Sequence, residues 1–167
     1  MDSSAKRGGI IRTAHRRTPI QFDLMDTTTI DDLGTVTPAY NELFTMAPND
    51  FIRIVGDLAQ DWSFTDGGKT LTIKLYPGVK DSDGNPFTSD DAKWSLERIA
   101  DPKLNLINSS LFQGVWTAIE TPNDTTVVIR LTSPQASVLT KLSTQYIPMY
   151  TREPWEKGKD PKTTAVG

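Results

Sequence analysis

Between Leu58 and Val79 the chain reads LAQDWSFTDGGKTLTIKLYPGV, with apolar residues alternating on both sides of an Asp-Gly-Gly centre. Trp62 and Phe64 lie before it, and Leu71, Ile73 and Leu75 after it. A period of two puts each set on one face of a strand. Asp66, Gly67 and Gly68 tolerate positive φ, so the two strands read as a hairpin. A sheet with one apolar face must bury it under a second layer, which constrains everything else in the chain. The GGKT within this stretch is not a phosphate loop. That motif needs glycine five positions before Gly68, where Ser63 stands, and a following helix where this chain has a strand.

A second hairpin is expected in GVWTAIETPNDTTVVIRL, with Pro122-Asn123-Asp124 as the turn and Val127, Ile129 and Leu131 on one face. FTSDDAKWSLERIA reads as a helix capped by Thr88, with Asp91 three positions later as its capping-box partner. Ala92, Leu96 and Ile99 share its inner face, and Lys93, Glu97 and Arg98 are expected to look outward. TVTPAYNELF reads as a helix from about Thr37, with Pro38 in its first turn and Ala39, Leu43 and Phe44 inward. SPQASVLTKLS reads likewise, with Ser133 as cap, Pro134 first, and Ala136, Leu139 and Leu142 inward. Gly8 to Ile11 reads as a short buried strand, which in a chain lacking the rest of its sheet would leave Ile10 and Ile11 on an exposed or improvised sheet edge; TPIQFDLMDTTTIDD reads as a loop, QYIPMY as extended, and the last residues as polar loop.

The 167 residues suffice for one core, and an apolar share of 37% with 23% charged residues fits a folded chain. A net charge of −3 argues against a nucleic-acid partner. Without cysteine there is no disulfide, thiol nucleophile or thiolate metal site. The single histidine, His15, has no neighbouring Ser/His/Asp or two-histidine pattern and reads as a loop residue. MDSSAKRGGI lacks the apolar run of a signal peptide.

The stretch GVKDSDGNPFTSDD carries four aspartates. A calcium loop beginning at Asp81 would need glycine sixth and glutamate twelfth, but these positions hold Pro86 and Ala92. A catalytic carboxylate pair needs one shared cavity and separated pKa values, which an exposed turn does not provide. The residues read instead as strand exit, Asp83-Gly84-Asn85-Pro86 turn and helix cap.

The order of these pieces resembles the family 5 extracellular solute-binding proteins, the dipeptide, oligopeptide and nickel-binding components of ABC importers. The resemblance rests on Leu58-Ala59, Trp62, Asp66 to Thr70, Leu71 to Leu75, Gly78 to Lys80, Asp83 to Thr88, Asp90-Asp91, and Ser95 with Arg98. GGIIRTAHRRTPIQFDLM is similar to the family's first strand and loop, YNELF to an early helix, and the final AVG to the start of a VGTGPF segment. The chain departs from the pattern at Leu24, where proline is common, at Lys80-Asp81-Ser82, which lacks an aromatic and a histidine, and at Ala92.

The resemblance implies an α+β fold, mostly antiparallel sheet with a few helices, as the N-terminal fragment of a two-lobed periplasmic binding protein. Residues 1–42 would be a first-lobe segment and residues 43–167 an inserted subdomain carrying the signature. It implies a receptor rather than an enzyme, with no catalytic residue, metal or cofactor. The partners would be a small solute, such as a dipeptide or oligopeptide, and a membrane permease, in the periplasm or outside the cell. Arg16, Arg17 and Thr18 in one loop, and Asn108 and Leu111 in another, are the expected ligand contacts, because carboxylates and amides suit them. A non-transport interaction or sensor module on the same fold is the alternative, and an isolated 167-residue chain is expected to bind solute poorly.

Overall fold

A computed structural model describes residues 8, 10, 12–165 and 167, and at Phe51 the backbone alone. In chain order the elements are α1 (Ile30–Val36), β1 (Phe44–Ala47), β2 (Asp50–Gly56), β3 (Ala59–Thr65), β4 (Thr70–Leu75), α2 (Ser89–Ala100), β5 (Trp116–Asn123), β6 (Thr126–Leu131), α3 (Val138–Leu142) and α4 (Glu153–Glu156). Two antiparallel sheets form: a ribbon of β1 and β2, and a four-stranded sheet in the order β3-β4-β6-β5. The architecture is the expected α+β one. No helix among the described residues is long and apolar enough to cross a membrane.

The alternation read from sequence sets the register. Trp62 pairs with Ile73 and Phe64 with Leu71, while Leu71 pairs with Ile129 and Ile73 with Val127. These residues share one face, and Leu71, Ile73, Val127 and Ile129 are fully buried. Full burial of such a side chain contributes about 1.5–3 kcal/mol. Trp62 and Phe64 lie on the edge strand and stay partly exposed. The hairpin turn takes positive φ at Asp66, Gly67 and Gly68 in succession, and the Asp66 carboxylate accepts a 2.5 Å bond from Thr70 Oγ1. In the second hairpin the turn falls later than expected, at Asp124 and Thr125, because the Asn123 side chain accepts from Thr125 N (3.2 Å) and Thr126 Oγ1 (2.9 Å). Pro122 remains in β5, an edge strand whose register shifts there.

Helix α2 closes the apolar face with Ala92, Leu96 and Ile99. Its start is fixed as expected: Thr88 donates from both N and Oγ1 to Asp91 Oδ2 at 2.8 Å. Ser89 ties this end to the hairpin turn through Asn123 O (2.7 Å) and Asp124 O (2.8 Å).

Four further sequence expectations are corrected. The early helix is α1, capped by Thr29 with Asp31 and Asp32 in its first turn. Only a 3-10 turn, Thr37–Ala39, remains where the helix was expected. Tyr40 then turns extended (φ −127°, ψ 157°), so Leu43 is buried just before β1 and Phe44 is buried as its first residue. Helix α3 begins at Val138, leaving Ala136 exposed and Pro134 beside the Asp66–Gly68 turn. Ile10 is 87% exposed and not in a strand, since among the described residues no strand lies alongside to complete its hydrogen bonds; Ile11 lies outside the described residues. Arg98 does not look outward, as described below.

Candidate ligand-facing loops and the polar brace beneath them

The loop after residue 20 enters a 3-10 turn, Leu24–Asp26, whose cap is the fully buried Asp23. Burying a carboxylate is costly unless it is paired and hydrogen-bonded. Asp23 meets that condition with Arg98 of α2, at 2.6 Å (Nη2 to Oδ2) and 3.3 Å (Nη1 to Oδ1). Met25 N and the Tyr150 hydroxyl each donate to Oδ1 at 3.1 Å. The Arg98 side chain is 12% exposed, and its guanidinium lies 5.8 Å from the Tyr150 ring centroid. Ser95, one turn earlier on α2, both accepts from Tyr150 N (2.9 Å) and donates to Tyr150 O (3.2 Å). Burial, and then the charge of Asp23, push the Tyr150 phenol well above its ordinary value, so it stays a donor. The Ser95 and Arg98 pair of the signature therefore fastens the first loop to α2 and to the segment at residue 150.

A second knot continues from the first. Asp32 of α1 accepts from Ile20 N (2.8 Å) and Thr27 Oγ1 (2.8 Å), and its own backbone N–H donates to the cap residue Thr29 at Oγ1 (3.3 Å). Burial works against the Asp32 charge, yet the bonds with Thr29, Ile20 and Thr27, with Arg17 nearby, hold its carboxyl below the usual range. Asn108 is buried, and its Nδ2 donates to Thr27 O (2.8 Å) and Leu24 O (3.4 Å).

The expected contact residues thus fall into two groups on one brace. Arg16 (86% exposed side chain) and Arg17 each meet Asp31, at 3.1 and 3.0 Å, and Thr18 is exposed beside them. Leu111 ends a 3-10 turn, Ser109–Leu111, and is 45% exposed, lining a shallow 140 Å³ cavity with Phe112, Thr140 and Lys141. Asn108 differs from these in being turned into the protein. His15 is an exposed loop residue with Thr13 and Thr35 as its hydroxyl neighbours.

The acidic stretch has a structural employment. Asp81 accepts from Asp83 N (3.0 Å), Asn85 N (2.8 Å), Asn85 Nδ2 (2.8 Å) and Thr151 Oγ1 (2.5 Å). Burial opposes its charge, but the bonds from Thr151, Asn85 and Asp83 hold its carboxyl below the usual range. Asp83 pairs with Lys159 and Asp91 accepts from Arg152 N at 2.9 Å, so the stretch anchors the segment at residues 151–159. Among the described residues no group of three or more His, Cys, Asp or Glu could hold a metal ion.

The comparisons with known proteins agree with this architecture. The family model described as Bacterial extracellular solute-binding proteins, family 5 Middle, matches residues 53–167. The chain is 36% identical over 91 residues to an ABC transporter peptide-binding protein of Brucella ovis, covering 54% of this chain and 17% of that protein. It is 32% identical over 92 residues to the glutathione-binding protein GsiB of Pectobacterium atrosepticum, covering 55% and 18%. Among solved structures, the PBP/SBP MoaA of A. tumefaciens R10, in complex with mannopinic acid, superimposes with a TM-score of 0.81 at 30% identity, covering 88% of this chain and 30% of that one. The chain belongs to the family 5 extracellular solute-binding proteins. It spans less than a fifth of the length of those curated relatives.

Proposed function

We propose that this chain is part of the substrate-binding component of an ABC importer, which takes a peptide or similar carboxylate-bearing solute and presents it to a membrane permease. The observation that carries the reading is the family match across residues 53–167. Peptide-binding, glutathione-binding and mannopinic-acid-bound relatives support the solute class. The component acts by non-covalent capture rather than catalysis, in the periplasm or outside the cell. Residues 1–42 serve a first lobe and residues 43–167 form an inserted α+β subdomain.

Within this reading Arg16 and Arg17 offer guanidinium groups to a solute carboxylate, Thr18 a hydroxyl, and Leu111 an apolar contact. Asp31 keeps the two arginines oriented until a carboxylate competes for them. Asn108 is a positioning residue that holds the two loops together.

Calorimetry tests the proposal. The complete polypeptide carrying these residues is expected to bind one member of a panel of di- to pentapeptides and glutathione with 1:1 stoichiometry. The 167-residue chain alone is expected to show no saturable heat. Tight binding by the short chain would overturn the fragment reading, and failure of the complete polypeptide with every panel member would overturn the solute class.

A further inference from the structure

The segment after α4 lies across the body of the fold with little apolar hold on it. Residues 156 to 163 are exposed, apart from the half-buried Pro161. Its apolar anchors stand at the two ends. Pro154 is buried and Trp155 packs edge-on against Tyr150, with ring centroids 5.5 Å apart, while Ala165 is partly buried against the core. Gly158 takes φ 89° and ends α4, with Gly158 N donating to Trp155 O and Lys159 N to Pro154 O, both at 3.0 Å. Asp160 then folds the chain back. Lys162 N donates to its Oδ1 at 2.9 Å, and Thr163 N and Thr164 N donate to its carbonyl oxygen at 3.0 Å.

Polar contacts hold the middle of the segment. Lys159 pairs with Asp83 of the acidic turn. Lys162 meets the first loop twice: its carbonyl accepts from Phe22 N (3.1 Å), and its Nζ donates to Asp26 Oδ2 (2.6 Å). The other Asp26 oxygen, Oδ1, accepts from Ile107 N (3.1 Å), in the loop that carries Asn108 and Leu111. One carboxylate thus joins the first loop, the second loop and the segment after α4. The Asp26 side chain is 15% exposed and that of Lys162 53%. Its bond to Asp26 raises the Lys162 ammonium above its ordinary value, so it is charged at neutral pH. A segment with few buried apolar contacts opens locally at low cost. An ion pair this open on its cationic side is weakened by salt.

We propose that residues 157–164 are a releasable clasp on the two candidate ligand-facing loops, with Lys162 as its positioning residue. Docked, the Lys162 ammonium holds the Asp26 carboxylate where it accepts Ile107 N, and the Lys162 carbonyl holds Phe22 N. Released, Asp26 turns to water and the Ile107 side of the second loop loosens. Asn108 keeps its own ties, from its N to Met25 O (3.4 Å) and from its Nδ2 to Leu24 O and Thr27 O, so the loops stay joined there. The opening is therefore confined to the side that carries Phe22, Asp26 and Ile107. That these loops face a solute rests on the receptor reading; the clasp itself does not.

Amide exchange followed residue by residue by NMR on the 167-residue chain tests this. In Lys162→Met the amides of Phe22 and Ile107 are expected to exchange about 5-fold faster, as the loss of one part-exposed ion pair implies. The Asn108 amide, the β4–β6 ladder and the urea midpoint should hold. Lys162→Arg, which keeps the charge, should restore slow exchange. Sodium chloride at about 1 M should bring the original chain toward the Lys162→Met rates and leave that variant unchanged. Phe22 and Ile107 amides unchanged in Lys162→Met, or accelerated as much in Lys162→Arg, would overturn the clasp. So would an acceleration that spreads equally to Asn108 and the β4–β6 ladder.

Discussion

Replacing Arg98 by alanine removes the only cation that, among the described residues, is bonded to the fully buried Asp23 carboxylate. Asp23 would keep Met25 N and the Tyr150 hydroxyl as donors but lose both guanidinium bonds, at 2.6 and 3.3 Å. Breaking one side of a buried pair costs about 3–5 kcal/mol. Arg98 keeps 12% exposure, so water can enter part of the vacated space and the lower end, about 3 kcal/mol, is expected. A slope of about 2 kcal/mol per molar urea turns that into a midpoint loss of about 1.5 M. Urea titration followed by tryptophan fluorescence measures it. The loss should persist in 1 M salt, where exposed pairs are screened but buried ones much less so. Asp23→Leu in the same chain should recover part of it, giving a coupling of about 2 kcal/mol or more. A loss below about 1 kcal/mol, or no coupling between the two sites, would refute the view of this pair as the brace of the first loop.

Three further outcomes are expected. Asp91→Ala removes the acceptor of Thr88 N and of Arg152 N, and should cost about 1–2 kcal/mol in urea titration, more than an Asp90→Ala control. Asp81 has a lowered carboxyl, so its contribution is present at neutral pH and lost as pH falls below the ordinary 3.8; Thr151→Val should cost about 1 kcal/mol at pH 7, and acid titration should show less of that difference below pH 3. Gly56→Ala drives a Cβ against Ala59 O and should lower the thermal midpoint by more than any of these, whereas Gly34→Ala, with open space around it, should not.

The sheet was legible because period-two alternation at Leu71, Ile73 and Leu75, and again at Val127, Ile129 and Leu131, survives in any context that buries one face. The start of α2 was legible because a cap is a local device of four residues. Arg98 was not. It neighbours Ile99 on the edge of the apolar stripe, and its partner lies 75 residues earlier, a distance that no periodicity spans. Helix α1 was hidden by Gly34 and by threonines that also suit loops. Arg16, Arg17 and Thr18 were correctly read as loop residues, but the burial of Asn108 depends on carbonyls at Leu24 and Thr27 that its own neighbourhood does not reveal. The aspartates of residues 81–91 shape backbone, as their spacing with glycine and proline suggests. Their reach to Thr151, Arg152 and Lys159 is tertiary.

Native mass spectrometry of the complete polypeptide, incubated with a peptide-containing extract, tests the receptor reading most directly. One carboxylate-bearing small solute retained per polypeptide, and released when Arg16 and Arg17 are both replaced by alanine, is the expected result. A polypeptide that retains nothing, or that converts the extract's components instead of holding one, would contradict it.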